Sequence, residues 1–155
     1  MLRLLAPFLL FALSAATVPT GPIIQTFAGT DFTFQADGKQ ATAAAIGPLY
    51  GVTGDSAGNL YVALTGEARV VRRDTAGRVT DVPGPWVVPR AVALWQGELT
   101  VADSGLQAIV RGSVKIATVN FPWDLSILGD QLYVAELAAD RISRLVERLG
   151  RARIR

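Results

Sequence analysis

The stretch Gly58-Asn59-Leu60-Tyr61-Val62-Ala63 decides the fold of this 155-residue chain, because close copies of it return twice. The copies are Gly97-Glu98-Leu99-Thr100-Val101-Ala102 and Asp130-Gln131-Leu132-Tyr133-Val134-Ala135. The leucines of the three stretches are 39 and then 33 residues apart. Self-similarity at such a period is typical of propeller blades or solenoid turns. The repeat therefore sets the architecture.

A proline accompanies each copy of the repeat. Pro48, Pro89 and Pro122 precede the three leucines by 12, 10 and 10 residues. After each proline come an apolar segment, a glycine-containing turn, the Leu-x-Val-Ala segment, a third segment, a second turn and a fourth segment. Glycine supplies the positive φ of tight hairpins, so neighbouring segments should pair as antiparallel strands. Four short antiparallel strands per unit predict a β-propeller blade.

The second strand of the first unit is apolar on both faces. Leu60 and Val62 point to one side of the pleat, whereas Tyr61 and Ala63 point to the other. A sheet with one solvated face would instead alternate apolar and polar residues. The strand is therefore expected to lie in a blade packed between two neighbours. We predict an all-β chain of about three blades, in units of about residues 47–84, 87–119 and 120–155.

The amino terminus has the composition of a secretory signal peptide, predicted over residues 1–16. A positive charge is followed by an apolar run over residues 4–13 and by Ser14-Ala15-Ala16 as a cleavage site. The run is interrupted by Pro7 and is shorter than the roughly 20 residues that a membrane-spanning helix needs. We therefore expect a secreted or periplasmic protein without a membrane span. Behind the signal peptide we predict a linker over residues 17–22 and an extra strand over residues 23–28.

Two segments allow more than one interpretation. The repeat alignment predicts strands over residues 137–155, and we prefer it to the alternative of an amphipathic helix. That alternative rests on apolar residues at helical spacing, which are Ile142, Leu145, Val146 and Leu149. The connection over residues 29–46 is long for this fold. We predict a short helical turn within its part from residue 41 to 46.

The composition excludes several kinds of chemistry. The chain has no cysteine, which rules out a disulfide, a thiolate nucleophile and a zinc-thiolate site. It has no histidine either, so every catalytic triad or metal site that needs imidazole is ruled out. The net charge of +2 is too small to indicate a nucleic-acid partner. Six arginines over residues 141–155 are interpreted as solvated charges on an edge strand, so we expect no nucleic acid to bind.

Four segments in sequence order resemble the NHL-repeat β-propellers of exported bacterial proteins. They are Ile24-Gln25-Thr26-Phe27-Ala28-Gly29, Ala36-Asp37-Gly38-Lys39-Gln40-Ala41-Thr42, Gly47-Pro48-Leu49-Tyr50-Gly51-Val52 and Asp55-Ser56-Ala57-Gly58-Asn59-Leu60-Tyr61-Val62-Ala63. The resemblance implies a partial propeller of the six-bladed type that acts as a ligand-binding or scaffolding module. Related propeller lyases use histidines, which this chain lacks.

Three blades are fewer than the four to eight of a closed propeller. An open arc would expose apolar blade faces at its ends. Two explanations are open. The chain is a fragment of a longer propeller, which we favour, or identical chains complete a ring, which makes a homo-oligomer possible if the chain is complete.

Candidate ligand-binding residues lie in the loops that this strand order brings to one mouth of the propeller. Aromatic rings beside an arginine and several carboxylates are suited to a protein, peptide or carbohydrate ligand. The alternative is that the rings cover the blade tops and the acids bond to loop amides. The candidates are Tyr50, Arg90, Asp103, Trp123, Asp124 and Glu136.

The main functional prediction is an exported, non-catalytic propeller that serves as a protein- or ligand-binding scaffold, with no cofactor and no bound metal. The alternative is a calcium-assisted lactonase or other hydrolase, or a lyase, of the six-bladed propeller class. The carboxylates of Asp103, Asp124 and Glu136 permit the calcium-assisted enzyme, because calcium prefers several oxygen ligands. They do not form a contiguous calcium-binding loop in the sequence.

Overall fold

The computed structural model describes the backbone of residues 37–148 and 151–154, and the side chains of residues 37–146. Within this part, three four-stranded antiparallel sheets follow one another along the chain, which confirms the predicted all-β partial propeller. The predicted signal peptide, linker and extra strand lie outside the described residues. No helix in the described part has the length and apolarity needed to cross a bilayer.

Each sheet is one blade, and its strands are neighbours in the order in which they occur in the sequence. The first blade contains β1 (Leu49–Gly54), β2 (Leu60–Leu64), β3 (Arg69–Arg73) and β4 (Val79–Val82). The second contains β5 (Pro89–Trp95), β6 (Glu98–Asp103), β7 (Ala108–Arg111) and β8 (Val114–Thr118). The third contains β9 (Pro122–Leu128), β10 (Gln131–Glu136), β11 (Arg141–Arg148) and β12 (Arg151–Ile154). Short 3-10 helices cover Ala41–Ala43, Thr65–Glu67 and Leu137–Ala139.

The turns contain residues that suit the backbone geometry of tight hairpins. Gln96 and Gly97 join β5 to β6 with φ of 55° and 79°, and positive φ at both central residues is the geometry of a type I′ hairpin turn. The longer turn between β1 and β2 is held by Asp55, whose Oδ1 accepts the N–H of Asn59 at 2.8 Å. The amide nitrogen of the Asn59 side chain also donates to Asp55 Oδ2 at 2.7 Å.

Apolar clusters between neighbouring blades form the core. The cluster between the first two blades contains Ala63, Val70, Trp86, Val92, Val101, Ala108 and Val110. The cluster between the second and third blades contains Ala91, Ala93, Trp95, Ala102, Ile109, Val119, Leu132, Val134 and Leu145. Both faces of the second blade are therefore buried, as the apolar pattern of the repeat predicts. The outer face of the first blade is covered in turn by Ala41, Ala44 and Ile46.

The innermost strands approach one another closely. A Cβ atom built on Gly51 of β1 would lie 2.8 Å from the Cα of Ala91 in β5, so this position requires glycine. The same blades are also joined by a hydrogen bond from the hydroxyl of Thr65 to the carbonyl oxygen of Pro89. Between the second and third blades, Trp95 Nε1 donates to the carbonyl oxygen of Asp130 at 2.8 Å.

The carboxy-terminal segment forms strands, as the repeat alignment predicts, and not an amphipathic helix. In β11, Ser143 and Leu145 are buried, whereas Ile142 is 75% exposed. This two-residue period is that of a strand, since successive side chains point to opposite faces. Pairing of Leu145 with Leu132 of β10 places that leucine in the cluster between blades. The predicted helical turn in the 29–46 connection is present as Ala41–Ala43.

Candidate functional site

A row of three side chains crosses the rim of the propeller where the innermost strands begin. The strands β1, β5 and β9 lie next to one another. Each is irregular near its start, with one extra residue relative to the second strand of its own blade. The extra residue is Arg90 in β5 and Trp123 in β9, and in β1 the irregularity spans Tyr50 and Gly51. Such bulges turn a side chain out of the regular pleat.

The register shows that Tyr50, Arg90 and Trp123 occupy equivalent positions in the three blades. They directly follow Leu49, Pro89 and Pro122. Each of these preceding residues pairs with the last residue of the second strand in its own blade. We call these three residues the rim row. All three belong to the six ligand-binding candidates predicted from the sequence.

The guanidinium of Arg90 lies between the two aromatic rings of the rim row. Its central carbon is 4.8 Å from the centroid of the Tyr50 ring and 4.2 Å from that of Trp123. Both distances are within the range of cation–π attraction. The rings stay accessible, since Tyr50 is 57% and Trp123 is 41% exposed. Trp123 also stacks on Phe121, with ring centroids 6.2 Å apart. The arginine is therefore held in place by rings that a ligand can still reach.

One further contact orients Arg90. Its Nε donates to the hydroxyl oxygen of Ser104 at 3.4 Å. Ser104 is itself buried, and its hydroxyl donates to the carbonyl oxygen of Val88 at 3.3 Å. In the described part of the chain Arg90 forms no ion pair with a carboxylate. The terminal amino groups of Arg90 are thus the part of this cluster that is available for a ligand.

The carboxylate of Asp103 lies beneath the rim and is fully buried. Its Oδ2 accepts the N–H of Val87 at 2.8 Å, and its Oδ1 accepts the N–H of Val88 at 3.0 Å. Oδ1 also accepts the N–H groups of Gly105 and Leu106, each at 3.0 Å. Both oxygens are occupied by backbone amides, so this predicted candidate does not face the mouth.

Glu136 is the equivalent residue of the third blade and is 1% exposed. Its Oε2 accepts the N–H of Asn120 at 2.6 Å, and its Oε1 accepts from Arg141 Nε at 2.9 Å and from the Ser143 hydroxyl. Burial raises the pKa of Glu136, but the hydrogen bonds from Arg141, Ser143 and Asn120 outweigh it and leave the pKa below its ordinary value. Glu136 is therefore a paired internal anion, turned away from the mouth.

In the first blade, the carboxylate that bonds to the incoming linker comes from a different position in the sequence. Leu64 stands where the other two blades have Asp103 and Glu136, and the acid comes three residues later as Glu67. Oε1 of Glu67 accepts the N–H of Gly47 at 2.8 Å. In all three blades, a carboxylate at or just after the end of the second strand thus bonds to the backbone that leads into the first strand. This contact ties each blade to its incoming linker.

Asp124 follows Trp123 on the surface, and its Oδ1 accepts the N–H of Leu125 at 2.9 Å. It lines an open groove on the third blade with Leu125, Ile127, Tyr133 and Ile142. Within residues 37–146, the acidic side chains form no group of three that could hold a metal ion. The three carboxylates considered for calcium are therefore not gathered into one site.

Comparison with family models and with curated proteins found no match. Among solved structures, the chain is similar to virginiamycin B lyase from Staphylococcus aureus, with a TM-score of 0.60 and 18% identity over 81% of this chain and 43% of that one. A streptogramin B lyase matches with a TM-score of 0.57 and 17% identity over 69% of this chain and 40% of that one. A catalytically inactive histidine-to-alanine variant of the Staphylococcus lyase, determined with quinupristin, matches with a TM-score of 0.55 and 14% identity over 81% of this chain and 43% of that one.

These likenesses show that the chain has the fold of β-propeller blades. The chain spans about two fifths of the length of these lyases. Identities of 14% to 18% carry the fold alone, because one fold supports many functions. Membership of the NHL-repeat family stays a prediction.

Proposed function

We propose that this protein is an exported, non-catalytic propeller that binds a protein, peptide or carbohydrate ligand at the rim row. The observation that carries the proposal is the guanidinium of Arg90 held between the accessible rings of Tyr50 and Trp123. Aromatic faces beside one directed polar group are the usual composition of a binding site. Export rests on the composition of residues 1–16 and is part of the proposal.

The chemistry of the rim supports binding over catalysis. The chain has no histidine and no cysteine, so the commonest general base and thiol nucleophile are missing. The acids below the rim are already engaged, Asp103 by backbone amides and Glu136 by Arg141 and Ser143. Neither carboxylate is placed to exchange a proton with a ligand at the rim.

A lyase is the second candidate, and the likeness to virginiamycin B lyase favours it over a scaffold at the level of fold. One similar structure is a histidine-to-alanine variant described as catalytically inactive. A lyase built from this chain would have to use another acid or base, such as the phenol of Tyr50 in the rim row.

The homo-oligomer considered from the sequence is also kept as a proposal. Large apolar side chains are exposed on the third blade, among them Ile127, Leu128 and Ile142. Either further blades or a second copy of the chain would cover them. Size-exclusion chromatography with light scattering separates the two cases, because a homo-oligomer predicts a mass that is a multiple of that of one chain.

The rim proposal is tested on arrays of immobilised peptides and glycans. We expect the purified protein to bind a defined set of spots, and Tyr50→Ala and Trp123→Ala to lose them. Val114→Ala is a control, because Val114 is exposed on β8, outside the rim row. Binding that survives both rim substitutions, or an array without bound spots, would contradict the proposal.

The lyase candidate needs a separate assay. Virginiamycin B is incubated with the protein, with and without added calcium, and followed by mass spectrometry. If the unmodified protein converts the compound and Tyr50→Phe does not, the protein is an enzyme and the scaffold proposal is wrong. An unchanged compound in both conditions removes this activity.

A further inference from the structure

We propose that the terminal amino groups of Arg90 bind the carboxylate of a peptide C-terminus that carries an apolar last residue. The proposal deepens the rim-binding function above and rests on it.

The geometry leaves one part of the guanidinium for a ligand. Its central carbon lies over the rings of Tyr50 and Trp123, and its Nε donates to Ser104. What remains is the in-plane edge with the two terminal amino groups, which have no hydrogen-bond partner within the described chain. This edge is a planar fork of N–H donors that matches the two oxygens of a carboxylate.

Arg90 gives the rim row a positive charge with no ion-pair partner in the described residues. The exposed carboxylates of Asp124 and Asp140 lie by Trp123, the first next to it in the sequence and the second in its groove. The carboxylate of Asp103 receives four backbone N–H groups, and that of Glu136 is paired with Arg141. The rings of Tyr50 and Trp123 hold the cation of Arg90 in position but do not neutralise it. The rim row thus presents a positive charge that a ligand carboxylate would pair with.

The surroundings favour an apolar body next to that carboxylate. Trp123 lines a groove with the exposed side chains of Leu137 (53%) and Ile142 (75%), and the charged residues Glu136, Asp140 and Arg141 line it as well. The hydroxyl nearest to Arg90 is that of Ser104, and it is already engaged with Arg90 and Val88. An apolar side chain beside the carboxylate would cover the exposed surface of Trp123, Leu137 and Ile142. These observations favour a peptide terminus over an acidic carbohydrate.

Isothermal titration calorimetry with N-acetyl-L-phenylalanine and with its uncharged amide tests the proposal. We expect the acid to bind and the amide to bind about tenfold more weakly or worse, because a charge-assisted bidentate pair is lost. Arg90→Gln should weaken binding of the acid by a similar factor. Arg90→Lys should give an intermediate affinity, because it keeps the charge and loses the fork.

Arg111→Gln is the matched control. The guanidinium of Arg111 also lies over a tryptophan, 4.3 Å from the ring centroid of Trp95, at the opposite end of β5 from the rim. The Arg111→Gln variant should bind the acid with the same affinity as the unmodified protein. Loss of binding in this control together with Arg90→Gln would assign the effect to general damage and overturn the role of Arg90.

Three further results would overturn the proposal. Equal affinity for the acid and the amide would show that the carboxylate is not recognised. This comparison does not depend on the folding of a variant. Absence of binding heat on titration with the acid would also contradict recognition of a carboxylate. In that case the array experiment above still decides whether the rim binds any ligand. D-glucuronate that binds as tightly as N-acetyl-L-phenylalanine would replace the peptide by an acidic sugar.

Discussion

At the residue scale, one carboxylate per blade holds that blade to the linker that enters it, and two of the three, Asp103 and Glu136, are buried. Asp103 accepts four backbone N–H groups, and Glu67 and Glu136 accept one each from Gly47 and Asn120. Hydrogen bonds to a charged acceptor are stronger than neutral ones, and a buried donor left without its acceptor is costly. These acids are therefore expected to act on stability, and their side chains are not part of the proposed ligand site.

Replacing Asp103 by alanine should destabilise the protein strongly. The substitution leaves four backbone N–H groups of the 87–106 region without their acceptor, which we expect to cost about 3 kcal/mol or more. Urea denaturation followed by circular dichroism measures the free energy of unfolding.

Asp81→Ala is the control for this prediction. The carboxylate of Asp81 pairs with Arg69 at 3.1 Å, and both side chains are more than a third exposed. A pair of that kind contributes less than about 1 kcal/mol. Equal losses in Asp81→Ala and Asp103→Ala would contradict the role given to Asp103.

Glu136 predicts a dependence of stability on pH. Its folded-state pKa is lowered, because the hydrogen bonds from Arg141, Ser143 and Asn120 outweigh the effect of burial. A group with a lowered folded pKa stabilises the protein above its unfolded pKa and loses this contribution as the pH falls through the folded pKa. Glu136→Gln should therefore reduce the free energy of unfolding at pH 7. Its difference from the unmodified protein should shrink below about pH 4, under the ordinary titration range of glutamate.

The measurement is a series of urea denaturations between pH 3 and pH 7 on both proteins. A constant difference across this range would show that the ionised form of Glu136 is not what stabilises the fold.

At the element scale, the blades show how one repeat position serves different surroundings. Val70, Ile109 and Ile142 are equivalent, because each pairs with the alanine of the Leu-x-Val-Ala segment in its own blade. The first two are fully buried against the next blade, whereas Ile142 is 75% exposed. The neighbouring blade, and not the strand itself, decides the burial of this position.

Alanine substitutions at Ile109 and Ile142 should differ sharply in their effect on stability. Ile109→Ala removes buried side-chain atoms between the second and third blades and should cost about 2 to 5 kcal/mol. Ile142→Ala alters an exposed side chain and should change the free energy of unfolding by less than about 0.5 kcal/mol. Denaturant titration of the two variants compares them. A large loss in Ile142→Ala would mean that this face is covered in solution.

The strands could be predicted from the sequence, because blades are built from local signals. The repeat, the glycine turns and the two-sided apolar pattern placed twelve strands close to where the described part of the structure has them. These signals act between residues that are near one another in the chain. The strand over Arg141–Arg148 needed the repeat as well, since its apolar spacing also fits a helix.

The placement of the candidate site residues was predictable in part. Tyr50, Arg90 and Trp123 were found because strand order brings these loops to one rim. Their equivalent positions in the three blades could not be seen from the sequence, because alignment on the prolines matches Leu49, and not Tyr50, with Arg90. The bulges that shift the register depend on pairing within the sheet. Bonding of the acids to loop amides was considered from the sequence, but the donors Val87, Val88 and Asn120 could not be named, because they lie 15 or 16 residues from Asp103 and Glu136.

At the scale of the whole molecule, the two ends of the described arc differ. Residues Ala41, Ala44 and Ile46 cover the outer face of the first blade, whereas the outer face of the third blade exposes Ile142. The rim row crosses all three blades between these ends. Its geometry therefore depends on the packing of β1, β5 and β9 against one another, and a ligand at the rim would contact every blade described here.

The most direct test of the rim row is ¹⁹F NMR of the protein labelled with 5-fluorotryptophan. The chain has three tryptophans, and Trp86 and Trp95 are 9% and 1% exposed, whereas Trp123 is 41% exposed. Substitution of Trp123 by phenylalanine assigns its resonance. On titration with N-acetyl-L-phenylalanine, we expect the Trp123 resonance to move while the other two stay in place, and Arg90→Gln to abolish the shift. A Trp123 resonance that does not move, or movement of all three together, would contradict a ligand site at the rim.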